Sequence, residues 1–230
     1  MDARNVHREQ GIGHTINEPL SINPRASALL VLDLQKLILE GSAAPQSAAE
    51  KEALLSRSAR LIDAARTARM RVIYVRNGFR RGYPEVSERN KSFALIRQTD
   101  RFPDDADGSQ IHPAVAPHTG EVVITKHRVN AFFGTELDMI LRSNGIETLI
   151  LAGIATSRVV LSTLRYAADA DYGIIVPHDC CSDSDPDVHD MLLRDPLRNF
   201  DKNVWGWESI LFASRSTRDD GNKRDGRGAM

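Results

Sequence analysis

Short, almost continuous apolar segments recur along the chain and alternate with amphipathic stretches, and this pattern limits the fold more than any other feature. The first such segment, ALLVLDL at 28–34, is typical of a strand that is buried on both faces. The other predicted strands are at 71–76, 121–125, 148–152 and 173–176. Helical spacing of apolar residues predicts helices at 48–69, 135–143 and 157–170, with a further short helix around 87–97.

This alternation of strands and helices predicts an α/β protein with three α/β/α layers, whose central, mainly parallel sheet has five or six strands. We expect an N-terminal arm at 1–24 and one domain at 25–213. A disordered tail is predicted at 214–230, because that segment is charged and rich in small residues. The long charged segment 77–117 has few apolar residues at regular spacing, and loops of that length are usually functional or mobile.

Composition argues against several classes of partner. The 30 Lys and Arg residues almost balance the 31 Asp and Glu residues, so no net field attracts nucleic acid or an anionic membrane. No apolar run approaches the roughly 20 residues that span a bilayer, and the first residues lack the pattern of a signal peptide. The only cysteines, Cys180 and Cys181, are adjacent, which rarely permits a disulfide between them. We therefore expect a cytoplasmic protein that binds a small-molecule substrate, with no nucleic-acid or membrane partner.

Charged residues follow two of the predicted strands directly. Asp33 follows ALLVL and Lys126 follows EVVIT, while Gly153 begins a turn after TLILA. Since the carboxyl ends of parallel strands meet at one edge of a sheet, where ligands bind, we expect these three segments to share a cleft. A structural ion pair between Asp33 and Lys126 is the alternative, but their predicted position at the ligand-binding edge favours a functional site.

Several segments resemble the isochorismatase-like hydrolase superfamily, which also contains nicotinamidases and carbamoylsarcosine amidases. They are ALLVLDLQ, VIYVRNGFRRGYPE, VVITKHRVNAFFGTELDMIL and LILAGIATSRVVLSTLRYAADADYGIIVPHDCC, and the resemblance covers roughly 25–189. It implies a small site formed by the ends of three strands, which in the amidases holds an Asp, a Lys and a Cys. Asp33 and Lys126 match the first two.

The third member of that triad is absent. In the family pattern G-x-x-T-x-x-C-V-x-x-T, Gly153, Thr156, Val160 and Thr163 match, and Val159 stands where the cysteine belongs. Valine cannot form an acyl-enzyme, so the thiolate route is closed at this position. A nucleophilic Cys180 or Cys181, on the next loop, is an alternative, but a buried small apolar residue beside an incidental cysteine explains the pair better.

The resemblance therefore implies a hydrolase that works without cysteine, as isochorismatases do when they cleave a vinyl ether. We predict that it cleaves a C–O vinyl ether or C–N amide-type bond, with water as nucleophile, Asp33 as general acid or base and Lys126 as its electrostatic partner. Burial favours a proton on Asp33 and Lys126 opposes it, so both roles stay open. A non-catalytic ligand-binding or scaffold protein and a cysteine amidase are the alternatives.

The resemblance also implies the remaining parts of the site. It implies a cis peptide between Ile154 and Ala155, and backbone N–H groups of Ala155 and Val159 that face a developing oxyanion. Arg158 is considered from its position alone: a cation at the start of a helix is mildly disfavoured by the helix dipole, so Arg158 either binds a substrate carboxylate or, as is more usual for long charged side chains, lies in solvent or at a subunit interface. The predicted substrate-binding residues are Gln35, Phe79, Phe133, Thr156 and Arg158.

We predict neither a cofactor nor a metal. The cluster of one Asp and two His residues that follows the first strand in nicotinamidases is absent here, where Asp33 is followed by LQKLILEGSAAP. His178, Asp179 and His189 are not taken as metal ligands. The expected assembly is a homodimer or homotetramer.

Overall fold

A computed structural model describes residues 20–194, 202–204 and 206–212 of the chain. The predicted disordered tail at 214–230 and the first 19 residues of the predicted N-terminal arm lie outside them. Among the described residues, no helix has the length and apolar character needed to cross a bilayer.

The strands and helices alternate along the described chain, as the apolar segments predict. The strands are β1 (Leu20–Ile22), β2 (Ser27–Leu32), β3 (Arg71–Asn77), β4 (Val122–Lys126), β5 (Thr148–Ile154), β6 (Gly173–Pro177), β7 (Cys181–Ser182), β8 (Lys202–Val204) and β9 (Ile210–Phe212). The α-helices are α1 (Lys36–Glu40), α2 (Ala48–Thr67), α3 (Lys91–Gln98), α4 (Leu137–Ser143), α5 (Leu161–Asp169) and α6 (Pro186–Arg194), and a π-helical turn, Thr156–Val160, leads into α5. The five predicted strands are confirmed as β2 to β6.

The main sheet is parallel throughout, with the strand order β4-β3-β2-β5-β6-β8. The short strand β7 also pairs with β5, so the described sheet has seven strands where five or six were predicted. A strand of two residues is too short to leave an apolar pattern in the sequence. Strand order reverses between β2 and β5, and such a switch point opens a crevice at the carboxyl edge of a sheet.

Two apolar cores cover the two faces of the sheet. Within β2, Leu29 and Val31 face the core that contains α2, whereas Ala28, Leu30 and Leu32 face the core that contains α4 and α5. This alternation follows from the strand geometry, in which successive side chains point to opposite faces. All six residues of β2 are buried, which confirms a strand covered on both faces and the predicted three-layer architecture.

A second, two-stranded sheet joins distant parts of the chain. Strand β1 pairs in parallel with β9, with Leu20 opposite Ile210. The last residues of the predicted arm therefore pack against the end of the described chain. Leu20, Ile22 and Ile210 are buried in the core that contains α2.

Candidate active site

The ends of three adjacent strands bring three polar side chains together. Asp33 directly follows β2, Asn77 ends β3 and Lys126 ends β4. Because β3 lies between the other two strands, with Asn77 in register with Lys126, the lysine side chain crosses the end of β3 to reach the carboxylate. Lys126 Nζ lies 2.9 Å from Asp33 Oδ2, and the two side chains are only 1% and 6% exposed. The predicted pair is therefore present and buried.

Asn77 connects the two charged groups. Its Nδ2 donates to Asp33 Oδ2 at 3.0 Å, and its Oδ1 accepts from Lys126 Nζ at 2.8 Å. Lys126 Nζ also donates to the backbone carbonyl of Arg128 at 3.1 Å. With Asp33, these partners use all three N–H bonds of the ammonium group. Lys126 can therefore act on a ligand through its charge while its donors hold the cluster in place.

The two oxygens of Asp33 differ in their surroundings. Oδ2 is held by Lys126 and Asn77, whereas Oδ1 is buried and has no hydrogen-bond partner within the part of the chain that the structure describes. A buried carboxylate oxygen without a partner is costly in a folded protein, so its retention needs an explanation. Burial raises the pKa of Asp33 above its ordinary value, and Lys126 and Asn77 oppose that rise. The carboxyl group is therefore suited to gain and lose a proton at Oδ1.

The backbone at Asp33 places this side chain. Its φ is 56°, in the left-handed region, which Asp adopts more readily than most residues. The backbone leaves the direction of β2 at this point, although Asp33 N–H still donates to Val75 O at 2.9 Å. The strand therefore ends at Leu32, and the side chain of Asp33 turns toward the ends of β3 and β4.

A cleft of about 560 Å³ opens beside this cluster. Its wall includes Asp33, Lys126, Ala155 and Val159, together with Arg158. The inference that two opposite charges meet in a pocket beside Val159 is therefore correct. The remaining lining residues are Ile38, Gly41, Ser42, Ala43, Asn77, Ser92, Phe93, Leu95, Ile96, Thr99, Arg101, Phe102, Val129 and Ile154.

The turn after β5 forms one side of the cleft. The peptide bond between Ile154 and Ala155 is cis, and Ala155 and Val159 are 3% and 1% exposed. Thr156 Oγ1 is 2.7 Å from His189 Nδ1, and Ser157 N–H donates to Asp183 Oδ2 at 2.7 Å. These bonds tie the turn to α6 and to the loop before it.

Of the five predicted substrate-binding residues, only Arg158 lines this cleft. The prediction is corrected for the other four, which are Gln35, Phe79, Phe133 and Thr156. Phe79 is fully buried and packs on Phe93, which does line the cleft. Thr156 is fully buried and bonded to His189, and Phe133 is 64% exposed away from the cleft wall.

Gln35 holds the backbone of Asn77 in place through hydrogen bonds. Its Oε1 accepts from Asn77 N–H at 2.7 Å, and its Nε2 donates to the carbonyls of Asn77 and Ser109 at 2.8 and 2.7 Å. The side chain is fully buried, and its contacts fix the backbone of the residue that links Asp33 to Lys126. Sequence reasoning missed Asn77, although it ends an apolar strand just as Lys126 does.

Neither cysteine lies on the cleft wall. Cys180 and Cys181 are free and buried, and Cys181 Sγ donates to Leu151 O at 3.3 Å. Burial raises the pKa of Cys181 to about 12 and raises that of Cys180 as well. Both thiols are therefore protonated near pH 7, which is the unreactive form.

One group of three possible metal ligands occurs within the described residues. Ligand atoms of His178, His189 and Asp190 lie within 4.8 Å of one another. His178 Nε2 is 3.2 Å from Asp190 Oδ1, and His189 is bonded to Thr156. His178 and His189 line a second cavity of about 440 Å³, whose wall does not include Asp33 or Lys126.

Comparison with known proteins gives the class to which this fold and site belong. Residues 27–199 match the isochorismatase domain family. The chain therefore belongs to the isochorismatase family, in agreement with the parallel sheet and the strand-end site described above.

Individual relatives cover most of the chain. A ureidoacrylate amidohydrolase of Yersinia enterocolitica serotype O:8 is 34% identical over 210 residues, which are 84% of this chain and 89% of that protein. An isochorismatase family protein from Burkholderia thailandensis superposes with a TM-score of 0.69 at 29% identity, covering 84% of this chain and 97% of that one. N-carbamoylsarcosine amidase from Thermoplasma acidophilum has a TM-score of 0.61 at 28% identity, over 77% and 95% of the two chains. Of these three proteins, the two with a named activity are a ureidoacrylate amidohydrolase and an N-carbamoylsarcosine amidase.

Proposed function

We propose that this protein is a hydrolase that uses water as its nucleophile, Asp33 as general acid and base, and Lys126 as the electrostatic partner of Asp33. Its substrate is a small polar molecule with a C–N amide-type or C–O vinyl ether bond. One observation carries the proposal: Asp33 lines the cleft, and its buried Oδ1 has no hydrogen-bond partner among the described residues, while Oδ2 is fixed by two side chains.

For an amide-type substrate, Asp33 acts first as the base. Oδ1 takes a proton from a water molecule while the water oxygen bonds to the carbonyl carbon, and the carbonyl electrons move onto its oxygen. Ala155 and Val159 line the cleft, and in this mechanism their backbone N–H groups donate to that oxyanion. When the C–N bond breaks, the proton on Oδ1 passes to the leaving nitrogen, and Asp33 returns to its starting state.

For a vinyl ether, Asp33 acts first as the acid. Its Oδ1 proton passes to the alkene carbon, and water adds to the resulting oxocarbenium carbon while Oδ1 takes a proton back from that water. The C–O bond of the hemiketal then breaks with its electron pair going to the leaving oxygen, which receives the proton of the hemiketal hydroxyl as the C=O bond forms. Burial raises the pKa of Asp33, which favours the protonated form that the vinyl ether route needs, while the ammonium group of Lys126 stabilises the carboxylate that the amide route needs.

Val159 supports a route through water. It lines the cleft and is almost fully buried, and the motif resemblance assigns the cysteine of the amidases to this position. An apolar side chain there can limit the space open to water and substrate but cannot bond to a carbonyl carbon. The amide-type activities named for the relatives make the C–N bond the first choice.

A panel of amides, ureides and vinyl ethers tests the proposal, with ureidoacrylate, N-carbamoylsarcosine and isochorismate as its first members. Purified wild type and Asp33→Asn are assayed for product by mass spectrometry. We expect wild type to hydrolyse at least one member and Asp33→Asn to lose that activity by 10²-fold or more, on the order of a general acid–base contribution. Ligand binding by both proteins with turnover by neither would instead support a non-catalytic binding protein.

A further inference from the structure

Three side chains that can bind a metal come together from two separate elements beside the second cavity. His178 begins a 3₁₀ turn, His178–Cys180, that follows β6, whereas His189 and Asp190 are successive residues of α6. A ring nitrogen of each histidine and a carboxylate oxygen of Asp190 lie within 4.8 Å of one another. The sequence predicted no metal, but the fold brings Asp190, instead of Asp179, to the two imidazoles.

The distance between two of these side chains already suits a bound ion. His178 Nε2 lies 3.2 Å from Asp190 Oδ1. Zinc bonds to histidine nitrogen and carboxylate oxygen at about 2.0–2.2 Å, so neighbouring ligands of a tetrahedral ion are about 3.4 Å apart. The largest separation in the cluster is at most 4.8 Å, so it must shorten by about 1.4 Å or less. Rotation of a side chain can supply a movement of that size.

The imidazole of His189 is held in place by Thr156. Thr156 Oγ1 is 2.7 Å from His189 Nδ1, and both residues are buried. A histidine that binds a metal normally uses one ring nitrogen for the ion and the other for a hydrogen bond to the protein, which fixes the direction of the ring. With Nδ1 at Thr156, His189 binds an ion through Nε2. The rings of His178 and His189 meet edge to face, with centroids 4.4 Å apart.

The charges around the second cavity favour a cation. Its described lining residues include the acidic side chains of Glu50, Asp179 and Asp183, and besides histidine their only basic side chain is that of Arg57. This excess of negative charge attracts a divalent ion. The cavity volume of about 440 Å³ also has room for the water molecule that completes the coordination of an ion with three protein ligands.

We propose that His178, His189 and Asp190 bind one zinc ion, with a water molecule from the second cavity as its fourth ligand. Two imidazole nitrogens and one carboxylate oxygen suit zinc, whereas magnesium and calcium prefer oxygen ligands alone. The ion holds α6 against the turn after β5, because His189 is bonded to Thr156 in that turn. This inference does not rest on the proposed function, since neither Asp33 nor Lys126 lines the second cavity.

Titration of the purified protein with zinc chloride tests the inference. Wild type is treated with EDTA, freed of the chelator and measured by isothermal titration calorimetry. We expect one zinc ion per chain and a higher Tm with zinc, since an ion that binds only the folded state stabilises it. His178→Asn and Asp190→Asn should each weaken zinc binding by about 10-fold or more and lose the rise in Tm. Both side chains are partly exposed, and circular dichroism verifies that the two variants are folded.

His118→Asn is the matched control, because His118 is exposed and lies outside the cluster. Cys180→Ala/Cys181→Ala tests for binding through a thiol, since Cys181 also lines the second cavity. We expect both of these variants to bind zinc as tightly as wild type. The inference is overturned if wild type binds no zinc, if either ligand variant binds it as tightly as His118→Asn, or if the cysteine-free variant loses the ion.

Discussion

At the scale of single residues, the site depends on a difference in hydrogen bonding between the two carboxylate oxygens of Asp33. Lys126 and Asn77 hold Oδ2, whereas the buried Oδ1 has no partner among residues 20–194, 202–204 and 206–212. The held oxygen orients the carboxyl group, and the other is available for proton transfer. A purely structural ion pair would gain from satisfying both oxygens.

Replacement of Lys126 by methionine should make stability strongly dependent on pH. Without the ammonium group, the buried Asp33 carboxylate lacks its counter-charge, and its folded-state pKa rises further above that of the unfolded chain. A raised folded-state pKa gives stability that is present below the unfolded pKa and lost as pH rises through the folded one. We expect Lys126→Met to lower the free energy of unfolding by about 3 kcal/mol at pH 8 and by less at pH 5.

Urea unfolding at the two pH values measures this difference. The Asp33→Asn/Lys126→Met double variant is the control, because it has no titratable group at position 33 and should lose the extra pH dependence. An equal loss of stability at pH 5 and pH 8 in Lys126→Met would show that the carboxylate is not the buried charge responsible.

The residue types at the strand ends predicted much of the site. The directions in which neighbouring side chains point could not be predicted from the sequence. Asp33 and Lys126 follow apolar segments directly, so the parallel fold alone brings them to one edge. Gln35 and Phe133 lie close in sequence to those two residues, yet Gln35 is buried behind Asn77 and Phe133 is exposed. Arg101 was missed because its loop has no periodic pattern, and only tertiary packing brings it to the cleft.

At the scale of elements, the close approach of β5 to β2 positions the turn that carries Ala155 and Val159. Gly153 pairs with Leu32 and has a φ of +149°, and a β carbon there would lie 1.9 Å from the carbonyl oxygen of Leu32. Only glycine permits this contact without moving one of the two strands.

Gly153→Ala should therefore separate β5 from β2 at the site. We expect the free energy of unfolding to fall by about 3 kcal/mol or more, since the clash is with backbone and cannot be relieved by a rotamer change. Gly120→Ala is the matched control, because Gly120 has a φ of +91° and no atom within 4 Å of its β carbon. That variant should lose only about 1 kcal/mol. Equal losses in the two variants, measured by urea unfolding, would contradict a tight contact at Gly153.

The longer elements were predictable and the shortest were not. Strands β2 to β6 bury continuous apolar segments, which the sequence displays. Strands β1, β7 and β9 have two or three residues each, and β1 pairs with β9 across most of the chain. Such pairing depends on contacts between distant segments, which local patterns do not encode.

At the scale of the whole molecule, the buried His189 links α6 to the site and makes global stability sensitive to acid. Burial lowers the pKa of His189 to about 4, so the imidazole is neutral near pH 7. With a folded-state pKa below the ordinary value of 6.5, the stability is present above pH 6.5 and lost as pH falls toward 4, because only the unfolded chain takes up the proton.

We therefore expect wild type to lose roughly 2 kcal/mol more stability than His189→Asn between pH 7.5 and pH 5. Urea unfolding in buffers that contain EDTA measures this difference and removes metal binding as a variable. An identical pH dependence in the two proteins would mean that His189 titrates in the folded state at its ordinary pKa.

The central claim, hydrolysis by water at Asp33 without a cysteine nucleophile, is tested most directly by kcat/KM for the substrate that the panel identifies. The proteins compared are wild type, Asp33→Asn and the cysteine-free variant Cys180→Ala/Cys181→Ala, each verified as folded by circular dichroism. We predict that the cysteine-free variant keeps kcat/KM within about tenfold of wild type, while Asp33→Asn loses on the order of 10²-fold or more. Loss of activity in the cysteine-free variant, or its retention in Asp33→Asn, would contradict the mechanism.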